Sequence, residues 1–134
     1  MYEIRELQND ESNDFQDVEE DGNYIRILQQ FLQGSGVPAM ILNSEKLITS
    51  LNSEGEDLTG LRASVSAGQS LLDTARDQGF AATVIDLCDQ SANNEGCNQN
   101  EVYEIGGKAY QINVVSLIGK DNFAKAFYVT FVLE

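Results

Sequence analysis

Apolar positions change period along the chain. Tyr24, Ile27, Leu28 and Phe31 stand at i, i+3, i+4 and i+7, with Ile25 and Leu32 widening the stripe. This predicts an amphipathic helix that Asp21 or Asn23 can cap and that Gly34-Ser35-Gly36 ends. Val37-Pro38 sets up an extended entry to the continuous apolar run Ala39-Met40-Ile41-Leu42, and a turn over residues 43–46 leads into a second strand over 47–51. Ser53 and Glu56 have capping-box spacing at the start of a short helix ending at Gly60. A Ser/Ala/Gly-rich link over 64–68 precedes a short helical stretch over 69–76, with Gly79 as a break. Phe80, Val84, Leu87 and Cys88 then recur at i, i+4, i+7 and i+8, which predicts a helix of about three turns.

The last third changes to strand period. Residues 102–105, 109–118 and 123–133 are rich in β-branched and aromatic side chains. Gly106-Gly107 and Gly119-Lys120-Asp121-Asn122 separate them, so an antiparallel meander is expected. Both faces of the last two strands carry apolar residues: Tyr110, Ile112, Val114 and Ile118 alternate with Ala109, Gln111, Asn113, Val115 and Leu117, and Phe127, Val129, Phe131 and Leu133 alternate with Ala126, Tyr128, Thr130 and Val132. A solvated face would not look like that, so something must cover each side.

Charge changes the picture at one end only. The formal net charge of −14 arises from 22 acidic and 8 basic residues. Nine of the acids fall within residues 1–22 against Arg5 alone, so that segment reads as an acidic flexible arm and residues 23–134 as the single domain. No basic stripe exists to displace counterions from phosphates, which argues against nucleic acid as a partner. No apolar run is long enough to cross a bilayer and no signal-like leader is present, so no membrane contact and a cytoplasmic location are expected. Two cysteines, Cys88 and Cys97, are compatible with a reducing compartment, and sequence alone supplies no geometry for a disulfide between them.

The chemistry on offer is sparse. The chain has no His, which removes the usual triads, haem ligated through His and most zinc sites. Two cysteines are too few for a structural zinc site without His, so no metal site is expected. No glycine pair is followed by the Lys-Ser/Thr of a phosphate loop. Glu54, Glu56 and Asp57 cluster at a helix N-terminus, where they complement the macrodipole rather than form a catalytic pair. No catalytic residue and no enzyme are expected.

The stretch Ile41-Leu42-Asn43-Ser44-Glu45-Lys46-Leu47-Ile48-Thr49-Ser50-Leu51-Asn52, followed by a helix ending Leu58-Thr59-Gly60, resembles the opening of a PAS domain. The layout continues through a middle helix and a three-strand meander, so the resemblance spans roughly residues 24–134. Asn43 or Ser44 stands where Asp is usual in the family, Lys46 where Gly is usual, and Leu61 where an aromatic often follows. Asn52 matches the family's Asn, with the local task of bonding backbone at the strand-to-helix corner. Neither cysteine lies in an Asn-Cys-Arg-like motif, so a flavin adduct is not expected.

The resemblance implies an α+β, PAS-like fold: a five-stranded antiparallel sheet, helices on one face and the N-terminal amphipathic helix on the other. Periodicity favours Tyr110, Ile112, Val114 and Ile118 as the core side. The resemblance is taken to imply the opposite, with the middle helix over Gln111, Asn113, Val115 and Leu117 together with Phe127, Val129, Phe131 and Leu133. A small ligand would then sit between helix and sheet and touch Val84, Cys88, Gln111, Asn113 and Phe131. The other face, with Tyr110, Ile112, Val114, Tyr128 and Val132, would seat the first helix, whose Tyr24, Ile27, Leu28 and Phe31 would also form a homodimer contact. The function implied is a sensory or signal-relay module that binds a small molecule or passes a conformational change to an attached output domain of histidine kinase or cyclic-dinucleotide synthase type. The alternative is a ligand-free dimerisation module. The chain stops where family members continue, which suggests a domain cut from a longer protein.

Overall fold

In the computed structural model, which describes residues 23–134, the strands expected near the C-terminus pair into a meander that the earlier strands complete. In chain order the elements are a helix over residues 23–33 (α1), β1 (Ala39–Asn43), β2 (Ile48–Leu51), α2 (Ser53–Thr59), α3 (Ala63–Ser66), α4 (Leu71–Thr74), α5 (Gln78–Asn93), β3 (Gln99–Ile105), β4 (Lys108–Ile118) and β5 (Ala124–Leu133). The five strands form one antiparallel sheet in the order β2-β1-β5-β4-β3. The acidic arm expected over residues 1–22 lies outside the described residues.

Register decides which side chains meet α5. Across β4 and β5, Ile112 stands opposite Phe131, Val114 opposite Val129 and Ser116 opposite Phe127. Directly opposed residues share a face, so Phe127, Val129 and Phe131 can only lie with Ser116, Val114 and Ile112. These pack with Phe80, Ala81, Val84, Leu87 and Cys88 of α5 and with Met40 and Leu42 of β1 into the main core. The expected inner row of Gln111, Asn113, Val115 and Leu117 is therefore corrected: those residues point away from α5, and no amide has to be buried at a cost of about 1–3 kcal/mol each.

The opposite face carries a smaller core. Leu28 and Leu32 of α1 are buried against Ala39, Ile41 and Ala126, with Tyr24, Ile25, Leu117 and Tyr128 packed around them. Of the five residues expected to seat this helix, Tyr110, Ile112 and Val114 lie on the α5 side, Tyr128 meets the α1 cluster, and Val132 is on the α1 side of the sheet but exposed. β1 explains why one apolar run needs no alternation: Met40 and Leu42 face α5, Ala39 and Ile41 face α1, and all four are fully buried.

Local corners follow from single side chains. Asn52, not Ser53, caps α2: its Oδ1 accepts from the N–H of Gly55 at 2.7 Å and of Ala39 at 3.0 Å, while its Nδ2 donates to the Val37 carbonyl at 2.8 Å. Glu56 reaches forward to the N–H of Ala63 at 2.8 Å instead of back to the cap, so the expected capping box does not form. Lys46, where the family has Gly, adopts the left-handed conformation (φ 64°) that such a turn demands, and Asn43 Oδ1 accepts from the N–H of Glu45 and Leu47. The expected link over 64–68 is partly helical, as α3, and then straps the edge of β2: Gly68 donates to the Ile48 carbonyl at 2.7 Å and Ile48 to the Gln69 carbonyl at 2.8 Å. Gly79 breaks nothing, since α5 runs through it.

Candidate functional site

The candidate site is the space between α5 and the sheet. Three of the five expected ligand residues meet there: Val84 and Cys88 from α5 and Phe131 from β5 belong to one core cluster, and each is fully buried. Gln111 and Asn113 do not join them. They lie on the other face of β4, where the Gln111 Nε2 and Asn100 Oδ1 stand 3.5 Å apart and the Asn98 Nδ2 and Asn113 Oδ1 3.4 Å apart, long contacts at the limit of a hydrogen bond.

The interior is filled by side chains. Met40, Leu42, Ile112, Val114, Val129 and Phe131 close on α5 with no exposed surface. A cavity of about 50 Å³ remains at one end, lined by Leu58 and Thr59 of α2, Ala75, Arg76 and Asp77 before α5, Phe80 of α5 and Ile105 of β3. That is far below the roughly 300–1,000 Å³ of small-molecule pockets.

Asp77, which lines that cavity, is bonded by Tyr103 of β3. The Tyr103 hydroxyl donates to Asp77 Oδ1 at 2.8 Å, and the same oxygen accepts the N–H of Phe80 at 3.1 Å as the N-cap of α5. The Phe80 amide and then the Tyr103 hydroxyl hold the Asp77 carboxyl below its ordinary value, and the bond to Asp77 raises the Tyr103 phenol. The Phe80 ring lies between Tyr103 (centroids 6.4 Å apart) and Phe131 (5.8 Å). Gly79 makes the approach possible, because a Cβ there would lie 2.6 Å from the Tyr103 hydroxyl. Neither residue stood out in the sequence. An Asp directly before the helical period is an N-cap signal, but treating Gly79 as a break hides it; Tyr103 shares the inner face of β3 with Ile105 by alternation alone.

The thiol of Cys88 offers no nucleophile at neutral pH. Burial pushes it up to about 12, which the nearby Lys46 only partly offsets. Lys46 itself pairs with Asp89 at 2.7 Å and lies 6.0 Å from the Phe127 ring centroid. Both cysteines are free, Cys88 buried and Cys97 exposed. Among the described residues, no group of three or more His, Cys, Asp or Glu could hold a metal ion, and no helix is long and apolar enough to cross a membrane.

The four residues expected at a dimer contact divide. Leu28 is buried within its own chain, whereas Ile27 is 47% and Phe31 62% exposed. Tyr24 is half-buried beside them on α1.

A family model described as the PAS fold matches residues 26–121. Among curated proteins, no sequence matches the chain. Solved structures do. The PAS domain of BvgS from Bordetella pertussis superposes with a TM-score of 0.64 at 12% identity, over 84% of this chain and 87% of that one. A sensory box sensor histidine kinase from Vibrio cholerae gives 0.62 at 11%, over 87% and 96%. The phage VqmA–DPO complex gives 0.66 at 16%, over 87% of this chain and 55% of that one. At such identities the likeness is one of fold.

Proposed function

The chain belongs to the PAS family, and from that premise we propose that it is a non-catalytic sensory or signal-relay module of a cytoplasmic signalling protein. Its input is a change in the packing of α5 on the sheet, caused by a small molecule or a neighbouring domain. Its output passes through α1, across a homodimer, to an attached domain of histidine kinase or cyclic-dinucleotide synthase type. The observation that carries the reading is the two-sided sandwich: β1 and β5 contribute alternate residues to a core under α5 and to another under α1. A displacement of α5 therefore bears on the strands that seat α1. The like fold of a structure described as a sensory box sensor histidine kinase supports a sensory role with a kinase-type output, and that of the VqmA–DPO complex fits a fold that takes a bound partner.

The ligand-free dimerisation module is the second reading, and the closed interior favours it. A ligand of ordinary pocket size, roughly 300 Å³ or more, requires α5 to move. Native mass spectrometry of the purified chain, with a thermal-shift screen across metabolites, tests the choice. A retained mass or a reproducible shift in melting temperature is the outcome expected of a sensor; a dimer with neither leaves dimerisation alone.

A further inference from the structure

The two ends of α5 are fastened unequally. At the C-terminal end the bonds are several, and that between Ser91 and Ser116 is buried. Ser91, with no exposed surface, donates its hydroxyl to the Cys97 carbonyl at 2.8 Å, which leaves the Ser116 hydroxyl to donate to Ser91 at 2.7 Å. Gly96 donates to the Ser91 carbonyl at 2.8 Å, and Asp89 pairs with Lys46 of the β1–β2 turn. Gly96 has no room for a side chain, since a Cβ would lie 2.5 Å from the Ser116 carbonyl, so the loop is pressed against β4.

At the N-terminal end, among the described residues, one solvent-exposed side-chain bond reaches the sheet, from Tyr103 to Asp77. Gln78 bonds the carbonyls of Leu72 and Ala75 instead, which ties the start of α5 to the short helix before it and makes that corner one piece. The residual cavity lies under this end, bounded by Phe80.

We propose that α5 is a lever, fixed to β4 through Ser91 and Ser116 and released at the Asp77–Tyr103 latch, so that opening swings Phe80 outward and enlarges the cavity beneath it. This deepens the relay reading and rests on it for its use in signalling. The motion itself is a property of the folded chain alone.

Amide hydrogen exchange followed by NMR on the whole chain tests it. Tyr103→Phe keeps the ring against Phe80 and removes only the hydroxyl. Exchange at residues 81–84 should rise about three- to tenfold, as for loss of one hydrogen bond, with residues 88–91 unchanged. No rise at 81–84, or an equal rise along the helix, overturns the lever. Ser116→Ala, which strips the fixed end, should raise exchange along all of α5; a rise confined to 88–91 would show two ends opening independently and would also overturn it. Neither measurement needs ligand or partner, so a failed lever leaves the sensory reading standing, and a failed ligand screen leaves the lever measurable.

Discussion

Ile112 of β4 stands directly opposite Phe131 of β5, and both are fully buried beneath α5. The pairing sets every alternate position of the hairpin, because a slip of one residue would turn Gln111 and Asn113 inward and Ile112 out. Phe131→Ala removes a ring from the centre of the core and should destabilise the fold by about 3–5 kcal/mol. Gln111→Ala, on the far face, should stay within about 0.5 kcal/mol. Urea unfolding of the two variants checks the assignment, and a large loss at Gln111 would contradict it.

How much was legible beforehand depends on which interaction carried the information. Strand and helix positions come from local period, so α1, α5, β4 and β5 were visible, as was the two-sided burial of the sheet. The face that meets α5 is also legible in the periodicity of Ile112 and Val114, against what the family resemblance implies. What local pattern does not carry is pairing across the chain. The match of Ile112 with Phe131, the strap of residues 68–70 on β2 and the reach of Glu56 to Ala63 depend on contacts between segments. The space between α5 and the sheet could not be gauged either, since it follows from how fully Phe80, Phe131 and Leu87 fill it.

Asn52 joins three segments with one amide, capping α2, bonding Ala39 at the start of β1 and holding the Val37 carbonyl. Asn52→Ala leaves these backbone groups without partners at a partly buried corner and should cost about 2–4 kcal/mol. Asn52→Asp keeps the acceptor toward Gly55 and Ala39 but presents an oxygen to the Val37 carbonyl, so it should recover only part of that loss. Thermal and urea denaturation of both variants would show the order; an Asn52→Asp chain as stable as the parent would mean that the Nδ2 bond contributes nothing, and one no more stable than Asn52→Ala that the Oδ1 bonds contribute nothing.

The cysteines should behave as opposites. Cys97 is exposed, and Cys88 is buried with its thiol pushed up to about 12 by desolvation. Titration of the native chain with a thiol reagent at neutral pH should modify one cysteine rapidly and the second only in denaturant. Rapid modification of Cys88 in the native state would instead report frequent opening of α5.

The Asp77–Tyr103 bond sets a pH window. The Asp77 carboxyl is depressed below 3.8 in the fold, so its contribution is present above that value and is lost as pH falls through the lower folded one. The Tyr103 phenol is raised above 10.0, so its contribution is present below that value and is lost as pH climbs through the higher folded one. The latch should therefore hold from about pH 4 to pH 10 and weaken on either side. Asp121 is depressed as well, through its bond to Lys125 and the Phe123 amide, so global acid unfolding does not report Asp77 alone. The Phe80 amide resonance isolates the latch: in Tyr103→Phe its alkaline transition should vanish while its acid transition remains, moved to higher pH.

The first helix separates folding from assembly by position. Leu28 is 4% exposed against β1 and β5, whereas Phe31, on the adjoining stripe of the same helix, is 62% exposed. If that stripe meets its counterpart in a second copy, Phe31→Glu should leave the monomer folded and weaken association by about 2 kcal/mol, roughly thirtyfold, because it places a charge where an aromatic anchor was buried. Leu28→Ala should instead lower the unfolding free energy by about 2–4 kcal/mol through the cavity it leaves. Sedimentation equilibrium with circular dichroism distinguishes these losses. A Phe31→Glu chain that dimerises as tightly as the parent would move the assembly surface off α1, and the route from α5 through the sheet to a partner would have to leave from another face.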